Sequence, residues 1–140
     1  MAELDRNAFV LEVVTPQRLL VSEEVAELVA PGSEGYFGVL PGHTPFMTTL
    51  KIGELTYWRG REVRSLAVSW GYAEVGPERV VVLAEMAERA EEIDVERAEA
   101  ARRRAEERLR RWGDETVDFA CAEAALQRAL TRLTVAARGR

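Results

Sequence analysis

The distribution of turn residues changes along this chain, and the change limits what the chain can fold into. Between residues 8 and 84, turn-forming residues interrupt short apolar runs roughly every 8–12 residues. Between Asp94 and Gly113 there is no Gly or Pro, and Ala, Glu and Arg dominate. The first pattern is typical of β-strands and the second of a helix, because Ala, Glu and Arg favour helices. We therefore predict a β-rich module at residues 1–86 and a helical segment at 87–140.

The β-rich module contains enough strand-like runs for two layers. The runs are rich in β-branched and aromatic residues and lie at residues 9–14, 25–30, 36–40, 46–50, 53–58, 63–69, 71–75 and 79–83. Gly60 lies between two of them as a hairpin turn, and Gly76 with Pro77 marks another turn. The pattern predicts a sandwich or barrel of about eight to ten strands.

Two helices are predicted after this module. Asp94 can cap the first by accepting hydrogen bonds from the backbone amides of Glu96 or Arg97. The expected buried face of the first helix contains Val95, Ala98, Ala101, Ala105 and Leu109. Gly113 should end it, and the chain should restart at residues 114–116. The expected apolar face of the second helix, which runs to about residue 137, contains Phe119, Ala122, Leu126, Leu130 and Leu133.

A short connection between two helices predicts an antiparallel hairpin. Its interface is rich in alanine, and alanine gains little on burial because each buried CH₂ contributes only about 0.8 kcal/mol. We therefore expect weak docking of the helices, which suits a hairpin with two arrangements of similar free energy. A static helical extension is the alternative interpretation.

Charge is distributed unevenly. The net charge is −5, yet twelve of the 19 basic residues lie from Arg89 onward. Such a cluster indicates an anionic ligand or an acidic partner surface. The alternative is a solvated helix with ion pairs between residues four positions apart. Nucleic acid is a poor candidate partner, because the arginine-rich helix has no aromatic residue for base stacking apart from Trp112.

Sequence motifs of catalysis are absent. There is no P-loop, no dinucleotide-binding glycine fingerprint and no nucleophile elbow. His43 is the only histidine, so neither a multi-histidine metal site nor a histidine-based triad can be assembled. Cys121, the only cysteine, lies among alanines and is expected to pack as a small helix residue. The sequence predicts a non-catalytic protein without a metal or a catalytic cofactor.

The same features predict a protein of the cytosol or of the cytosolic side of a membrane. No run approaches the roughly 20 apolar residues that span a bilayer. The acidic residues 1–5 lack the layout of a secretory signal. A single cysteine excludes an internal disulfide and fits a reducing compartment.

Two segments contain more specific patterns. Residues 38–45 read G-V-L-P-G-H-T-P and describe a strand followed by a rigid turn, with His43 either bonded locally or facing a partner. In the helices, Arg97 and Arg104 share one helical face, as do Arg128 and Arg132. If the hairpin closes with these faces together, the four guanidinium groups suit a polyphosphate. Pairing with Glu99, Glu123 or another acid is the alternative.

These segments, with V-T-P at 14–16, G-Y-A-E-V at 71–75 and A-L-T-R-L at 129–133, closely resemble the ε subunits of bacterial F-type ATP synthases. The resemblance extends over nearly the whole chain. It implies a ten-stranded β-sandwich followed by a two-helix hairpin, in a non-catalytic subunit of the rotating central stalk. The implied partners are the γ subunit and the c-ring for the sandwich. The implied location is peripheral, at the cytoplasmic face of the bacterial plasma membrane, within the proton-translocating complex.

The resemblance also implies two roles for the hairpin. Extended along γ toward the α and β subunits, it inhibits ATP hydrolysis through basic residues; the candidates here are Arg102, Arg103, Arg108, Arg110 and Arg111. Folded down, it binds regulatory ATP in members with an I/L-D-x-x-R-A motif, which reads I-D-V-E-R-A at 93–98. The residues implied to bind ATP are Glu88, Ile93, Asp94, Arg97, Ala98, Arg104, Arg128 and Arg132. A free-standing cytosolic ATP sensor is the alternative function.

Overall fold

The computed structural model describes residues 7–111 and 113–139. The acidic residues 1–5 and Trp112, both used above, lie outside the described residues. Eight strands precede two helices in the described chain. The strands are β1 (Phe9–Val14), β2 (Leu19–Val25), β3 (Glu27–Gly32), β4 (Gly35–Val39), β5 (Phe46–Leu50), β6 (Gly53–Arg59), β7 (Glu62–Val75) and β8 (Arg79–Arg89).

Two long strands let the sheet fold into a sandwich. The strand order is β2-β1-β8-β7-β5-β3-β4, and β6 pairs with both β3 and β7. The first half of β7 pairs with β6 and its second half with β5. All these pairs are antiparallel except β1 with β8, which is parallel. The predicted β-sandwich is therefore confirmed.

The strand count is eight rather than the ten that the resemblance implied. The runs predicted at 63–69 and 71–75 form one strand, which bends where Trp70 has a φ of 54° and Gly71 a φ of 127°. Pairing with β8 keeps one register on both sides of the bend, from Ser69 opposite Met86 to Gly71 opposite Ala84. A single strand therefore contributes to both layers and replaces two shorter ones.

The core of the sandwich follows the alternation that the sequence predicts. In β1, Phe9, Leu11 and Val13 are completely buried and the residues between them are half-buried. Val80 and Val82 of β8 face the same core. Because successive strand residues point to opposite faces, one set fills the space between the layers and the other remains at the surface.

The two helices are α1 (Val95–Leu109) and α2 (Phe119–Arg138). As predicted, Asp94 caps α1, and its side chain accepts a 3.1 Å hydrogen bond from the amide of Arg97. The chain restarts at 114–116 in a turn that precedes α2. Asp114 accepts hydrogen bonds from the amide and hydroxyl of Thr116, and Asp118 caps α2.

The predicted apolar face of α2 is only partly confirmed, since Ala122 is buried, Phe119, Leu126 and Leu133 are half-buried, and Leu130 is exposed. Ala129 is also buried, whereas Leu130 is 41% exposed. Toward the end of α2, Val135 and Ala136 are buried in a cluster with Ala67 of the sandwich, the linker before α1, and Val95 at the start of α1. The end of α2 thus packs against more than one element, which a single periodic stripe does not represent. In α1 the predicted Ala98 and Ala105 are buried.

The helices form the predicted antiparallel hairpin, and the hairpin is folded onto the sandwich. α1 packs mainly against α2, while α2 also packs against β6, β7 and the 3₁₀ turn at Ala90–Glu92. That turn connects β8 to α1. The junction between sandwich and hairpin therefore consists of this turn, the ends of β6, β7 and β8, and the end of α2.

Candidate functional site

The connection between β8 and α1 is fixed by a carboxylate. Glu92 accepts a hydrogen bond from the amide of Arg89 at 3.1 Å, which closes the 3₁₀ turn. The guanidinium of Arg18, in the β1–β2 loop, donates two hydrogen bonds to Glu92, at 2.9 and 2.6 Å. The Arg18 bonds, assisted by the bond from Arg89, hold the pKa of Glu92 below its ordinary value. The turn that positions the hairpin is thus tied to the sandwich by charge.

A small apolar cluster lies beneath this connection. It joins one sandwich residue, two linker residues and two residues of α2: Ala67, Ala90, Ile93, Val135 and Ala136. Val95, at the start of α1, packs against it. Ile93 is only 4% exposed. The isoleucine of the I-D-x-x-R-A motif therefore connects the hairpin to the sandwich by packing.

The structure brings two of the predicted ATP residues into direct contact. Nε of Arg132 donates a 2.6 Å hydrogen bond to Oε1 of Glu88, and both side chains are about three-quarters buried. Glu88 lies at the end of β8 and Arg132 in α2. Since the pair spans the junction, it exists only while the hairpin is folded onto the sandwich.

Two other residues of the predicted set have structural roles. Ala98 is buried in the helix interface. The side chain of Asp94 accepts the amide hydrogen of Arg97 at the start of α1, so it fixes the helix terminus. Both roles belong to the folding of α1 itself.

The remaining three arginines of the set are not paired. Arg97 and Arg104 are exposed, and Arg128 is half-buried. Within residues 7–111 and 113–139, their guanidinium groups form no ion pair with a carboxylate. Glu99, one of the acids that could have paired with them, pairs with Arg102 instead. The structure does not join them to one another or to Arg132. Free guanidinium groups at the surface remain available to an anion.

Among the arginines predicted to contact the β subunit, Arg102 is the most constrained. It pairs with Glu99 at 2.6 Å and with Glu106 at 2.9 Å, one turn before and after it. Arg110 pairs with Glu107 at 3.3 Å. Arg103, Arg108 and Arg111 are exposed and form no ion pair with another described residue. Both interpretations of the arginine cluster therefore apply in part. Some of its arginines form ion pairs on a solvated helix, and others are exposed without an ion pair to a described residue.

A second surface lies on the outer face of the sandwich. Register places Tyr72 of β7 beside Leu83 of β8, Leu83 beside Val14 of β1, and Val14 beside Leu19 of β2. Leu19 and Tyr72 are 58% and 48% exposed. A shallow cavity of about 570 Å³ borders Val14, Tyr72 and Leu83. These four residues, the outer apolar row, form a continuous apolar strip across four strands.

The turn at residues 38–45 lies at one end of the sandwich. Nδ1 of His43 lies 2.6 Å from the carbonyl oxygen of Thr44, which is the local bond expected in the structural interpretation. Gly42 has a φ of 82° and its amide donates to the carbonyl of Pro77. Leu40 and Phe46, which flank the turn, are exposed. The turn is therefore rigid at its centre and apolar at its edges.

Comparison with known proteins identifies the family. The family model described as "ATP synthase, Delta/Epsilon chain, beta-sandwich domain" matches residues 8–90, and "ATP synthase, Delta/Epsilon chain, long alpha-helix domain" matches residues 91–137. The chain belongs to the ATP synthase delta/epsilon family. The resemblance noted from the sequence is thereby confirmed.

Relatives within this family are similar over nearly their whole length. The ATP synthase epsilon chain 2 of Syntrophotalea carbinolica is 54% identical over 129 residues, which are 92% of this chain and 94% of that protein. The ATP synthase epsilon chain of Syntrophobacter fumaroxidans is 56% identical over 126 residues, 90% of this chain and 93% of that protein.

Solved structures of ATP synthases contain the same fold. A chain from the cryo-EM structure of the Euglena gracilis mitochondrial ATP synthase, comprising OSCP, F1 and the c-ring, superposes with a TM-score of 0.79 at 28% identity. The match covers 94% of this chain and 82% of that chain. A chain of the Tetrahymena thermophila central stalk and c-ring shares the fold, with a TM-score of 0.55 at 10% identity. The fold of this delta/epsilon family member is thus found in chains of solved ATP synthases.

Sequence reasoning missed several residues of the junction in this delta/epsilon chain. Arg18, Glu54 and Arg138 form ion pairs across it, and none was predicted. Their partners are 74 and 84 positions away in the chain, so local spacing gives no signal. The tertiary fold brings the ends of β6 and β8 toward the hairpin, and these ion pairs become visible only in that arrangement.

The prediction that Cys121 packs as a small residue is wrong. It is exposed near the start of α2. The hydrogen bond with the Asp118 carboxylate raises the pKa of the Cys121 thiol, which lowers its reactivity. In the described part of the chain, no group of three or more His, Cys, Asp or Glu residues could hold a metal ion. No helix formed by those residues is long and apolar enough to cross a membrane.

Proposed function

We propose that this protein is a non-catalytic subunit of the central stalk of a proton-translocating F-type ATP synthase. Its sandwich couples the γ subunit to the c-ring, and its hairpin regulates ATP hydrolysis. The observation that supports this proposal most directly is the folded hairpin held at the Glu88–Arg132 contact. Association with the complex makes the protein peripheral to the membrane, on its cytoplasmic face.

The outer apolar row supports docking of the sandwich on another subunit. Single exposed apolar side chains are ordinary, but a continuous apolar strip across four strands is typical of an interaction surface. We assign this strip to γ and the rigid turn at residues 38–45 to the polar loops of the c-ring. The two surfaces lie on the sandwich, so docking leaves the hairpin free to change position.

The γ assignment is tested by co-purification from the assembled complex. Leu83→Glu places a charge in the middle of the strip and should reduce the amount of γ recovered with the chain. Val63→Glu is the control, because Val63 is also an exposed apolar residue, at 56% against 36% for Leu83, but lies outside the strip, in the first half of β7. If the unaltered chain does not co-purify with γ, the stalk assignment fails and a free-standing ATP sensor becomes the better explanation.

ATP binding is proposed to favour the folded hairpin. In this state Arg132 lies beside Glu88, and the exposed Arg97 and Arg104 and the half-buried Arg128 form no ion pair with any residue that the structure describes. A polyphosphate can accept bonds from several guanidinium groups at once, which relieves their mutual repulsion. Because ATP would then bind the folded state better than the extended one, it shifts the equilibrium toward folding.

Calorimetry of the full chain with ATP and ADP tests the ligand. We expect binding of ATP, reduced at least about tenfold by Arg97→Ala, which corresponds to about 1.4 kcal/mol. Arg79→Ala is the control, since Arg79 is an exposed arginine of the sandwich that pairs with Glu12. Absence of binding at millimolar ATP, or equal binding by Arg97→Ala, would contradict the ATP assignment and leave the stalk assignment intact.

Inhibition of hydrolysis is assigned to the extended hairpin. The exposed and unpaired Arg103, Arg108 and Arg111 are the preferred contacts for an acidic segment of the β subunit, because Arg102 is already bound by two glutamates. In the assembled enzyme, replacing these three arginines by Gln should raise ATP hydrolysis. Replacing Arg102 alone should have a smaller effect.

A further inference from the structure

The end of α2 makes all the polar contacts between this helix and the sandwich that the described residues contain. One is Arg132 with Glu88, and the other is Arg138 with Glu54. These two arginines are less than two helical turns apart. The hairpin is therefore fastened to the sandwich at one end of α2, and the opposite end of the hairpin extends away from that point.

Apolar packing at this attachment depends mainly on two larger side chains, Ile93 and Val135. Three of the five buried residues in the junction cluster are alanines. Alanine contributes a single methyl group, and a small apolar contact gives a correspondingly small gain. Because the apolar contact is small, the ion pairs at the end of α2 add to it in holding the hairpin folded.

The Arg138–Glu54 pair has the geometry of a strong contact. Nε of Arg138 donates to Oε2 of Glu54 at 2.5 Å. Glu54 is 16% exposed, and its position in β6 is fixed because its amide donates to the hydroxyl of Tyr36 at 3.1 Å. The Arg138 side chain is 57% exposed, so the strength of this pair depends on the Glu54 carboxylate, which is held in place and largely shielded from water.

Gly139 lets the end of the chain approach this point. A Cβ atom at residue 139 would lie 2.5 Å from Cβ of Ala90, closer than such atoms pack. The backbone after Arg138 thus lies directly against the linker turn. A larger residue at 139 would push the end of α2 away from the sandwich.

We infer that Arg138 and Glu54 form a nucleotide-independent lock on the folded hairpin, with Gly139 providing the close approach. Neither residue belongs to the set assigned to ATP. The inference rests on the proposed mobility of the hairpin, and it adds that the folded state is favoured before ATP binds. Loss of the lock should therefore shift the hairpin outward and make folding depend on ATP.

Distance measurement by electron spin resonance on the full chain tests the lock. One spin label is attached to the native Cys121, which is exposed, and the other to a cysteine introduced as Ser22→Cys on an exposed position of β2. Without ATP, we expect one dominant distance in the parent protein. Arg138→Glu should place like charges together and shift a large part of the population to another distance.

Charge exchange distinguishes a specific pair from a general charge effect. The double variant Glu54→Arg with Arg138→Glu should restore the parent distance. Arg79→Glu is the matched control, because Arg79 and Glu12 have exposures close to those of Arg138 and Glu54 but both lie in the sandwich. It should leave the distance unchanged. ATP should bring the Arg138→Glu variant back to the folded distance.

Two results separate this inference from the proposed function. Val135→Asp, which places a charge in the apolar cluster, should open the hairpin by an independent route. If Val135→Asp opens the hairpin and Arg138→Glu does not, the lock is wrong and the mobile hairpin stands. If neither variant changes the distance, and circular dichroism shows both folded, the proposed mobility itself is wrong.

Discussion

Glu88 and Arg132 are 44 positions apart in the chain, yet Oε1 of Glu88 lies 2.6 Å from Nε of Arg132. One belongs to the last strand of the sandwich and the other to the second helix. A contact of this kind makes the position of the helix dependent on the state of a strand residue. It also brings a residue before the I-D-x-x-R-A motif into direct contact with one far beyond it.

Removing the carboxylate from this contact should loosen the folded hairpin. Glu88→Gln leaves a partly buried guanidinium with a weaker acceptor, and we expect a loss of about 1 kcal/mol in the free energy of unfolding. Urea denaturation, monitored by circular dichroism, measures this loss in the free energy of unfolding. Glu12→Gln is the control, since Glu12 also forms an ion pair with an arginine, Arg79, but both residues lie within the sandwich. An equal effect in both variants would show that the junction has no special role.

Truncating the motif isoleucine should destabilise the junction more strongly. Ile93 is buried among Ala67, Ala90, Val135 and Ala136, so Ile93→Ala removes most of the apolar volume that the linker contributes. The expected cost is about 2–4 kcal/mol, against about 0.5–1.5 kcal/mol for Ile93→Val. Hydrogen exchange should locate the loss in α2 and not in β1. Uniformly faster exchange in every strand would contradict this placement.

The bend in β7 should tolerate no side chain at its glycine. Gly71 has a φ of 127°, and an added Cβ would lie 1.9 Å from the carbonyl oxygen of Leu83. Gly71→Ala therefore forces both backbone strain and displacement of β8, and we expect a loss of more than about 3 kcal/mol. Gly38→Ala is the control, because its Cβ would meet nothing closer than 3.9 Å. Thermal unfolding of both variants measures the difference.

Local sequence patterns predict the elements of this fold better than their boundaries. Alternation in β1 and the cap at Asp94 follow from neighbouring residues, so the sequence was sufficient for both. The sequence did not predict that the runs at 63–69 and 71–75 form the single strand β7. Gly71 lies at a bend within this strand, and sequence alone does not distinguish such a glycine from one in a turn. The exposed Leu130 was also misplaced, since the neighbouring Ala129 and Thr131 are the buried positions of this turn of α2.

The candidate site shows the same limit. Its motif residues are consecutive and could be recognised, but the ion pairs that fix the junction join residues far apart in the chain. Arg18 gives no local sign that it will meet Glu92. Likewise, helical spacing placed Arg97 and Arg104 on one face. It could not show that Glu99 would form its ion pair with Arg102 and not with either of them. Tertiary geometry decides which charges remain free.

The Arg18–Glu92 contact should make the stability of the junction depend on pH. The arginine holds the pKa of Glu92 below its ordinary value of 4.5, so the folded protein binds the proton less readily than the unfolded chain. The stabilisation is therefore complete above this ordinary value. It is lost as the pH falls below it and through the lower folded pKa.

Urea denaturation of the parent protein and of Arg18→Gln, from neutral pH downward, measures this dependence. The parent should be the more stable at neutral pH, and the difference should shrink once the pH falls below the ordinary value of Glu92. Arg64→Gln is the control, because Arg64 pairs with Glu62 at 3.4 Å between two largely exposed side chains. A difference between parent and Arg18→Gln that stays constant down to acidic pH would show that the guanidinium acts on Glu92 by packing and not by charge.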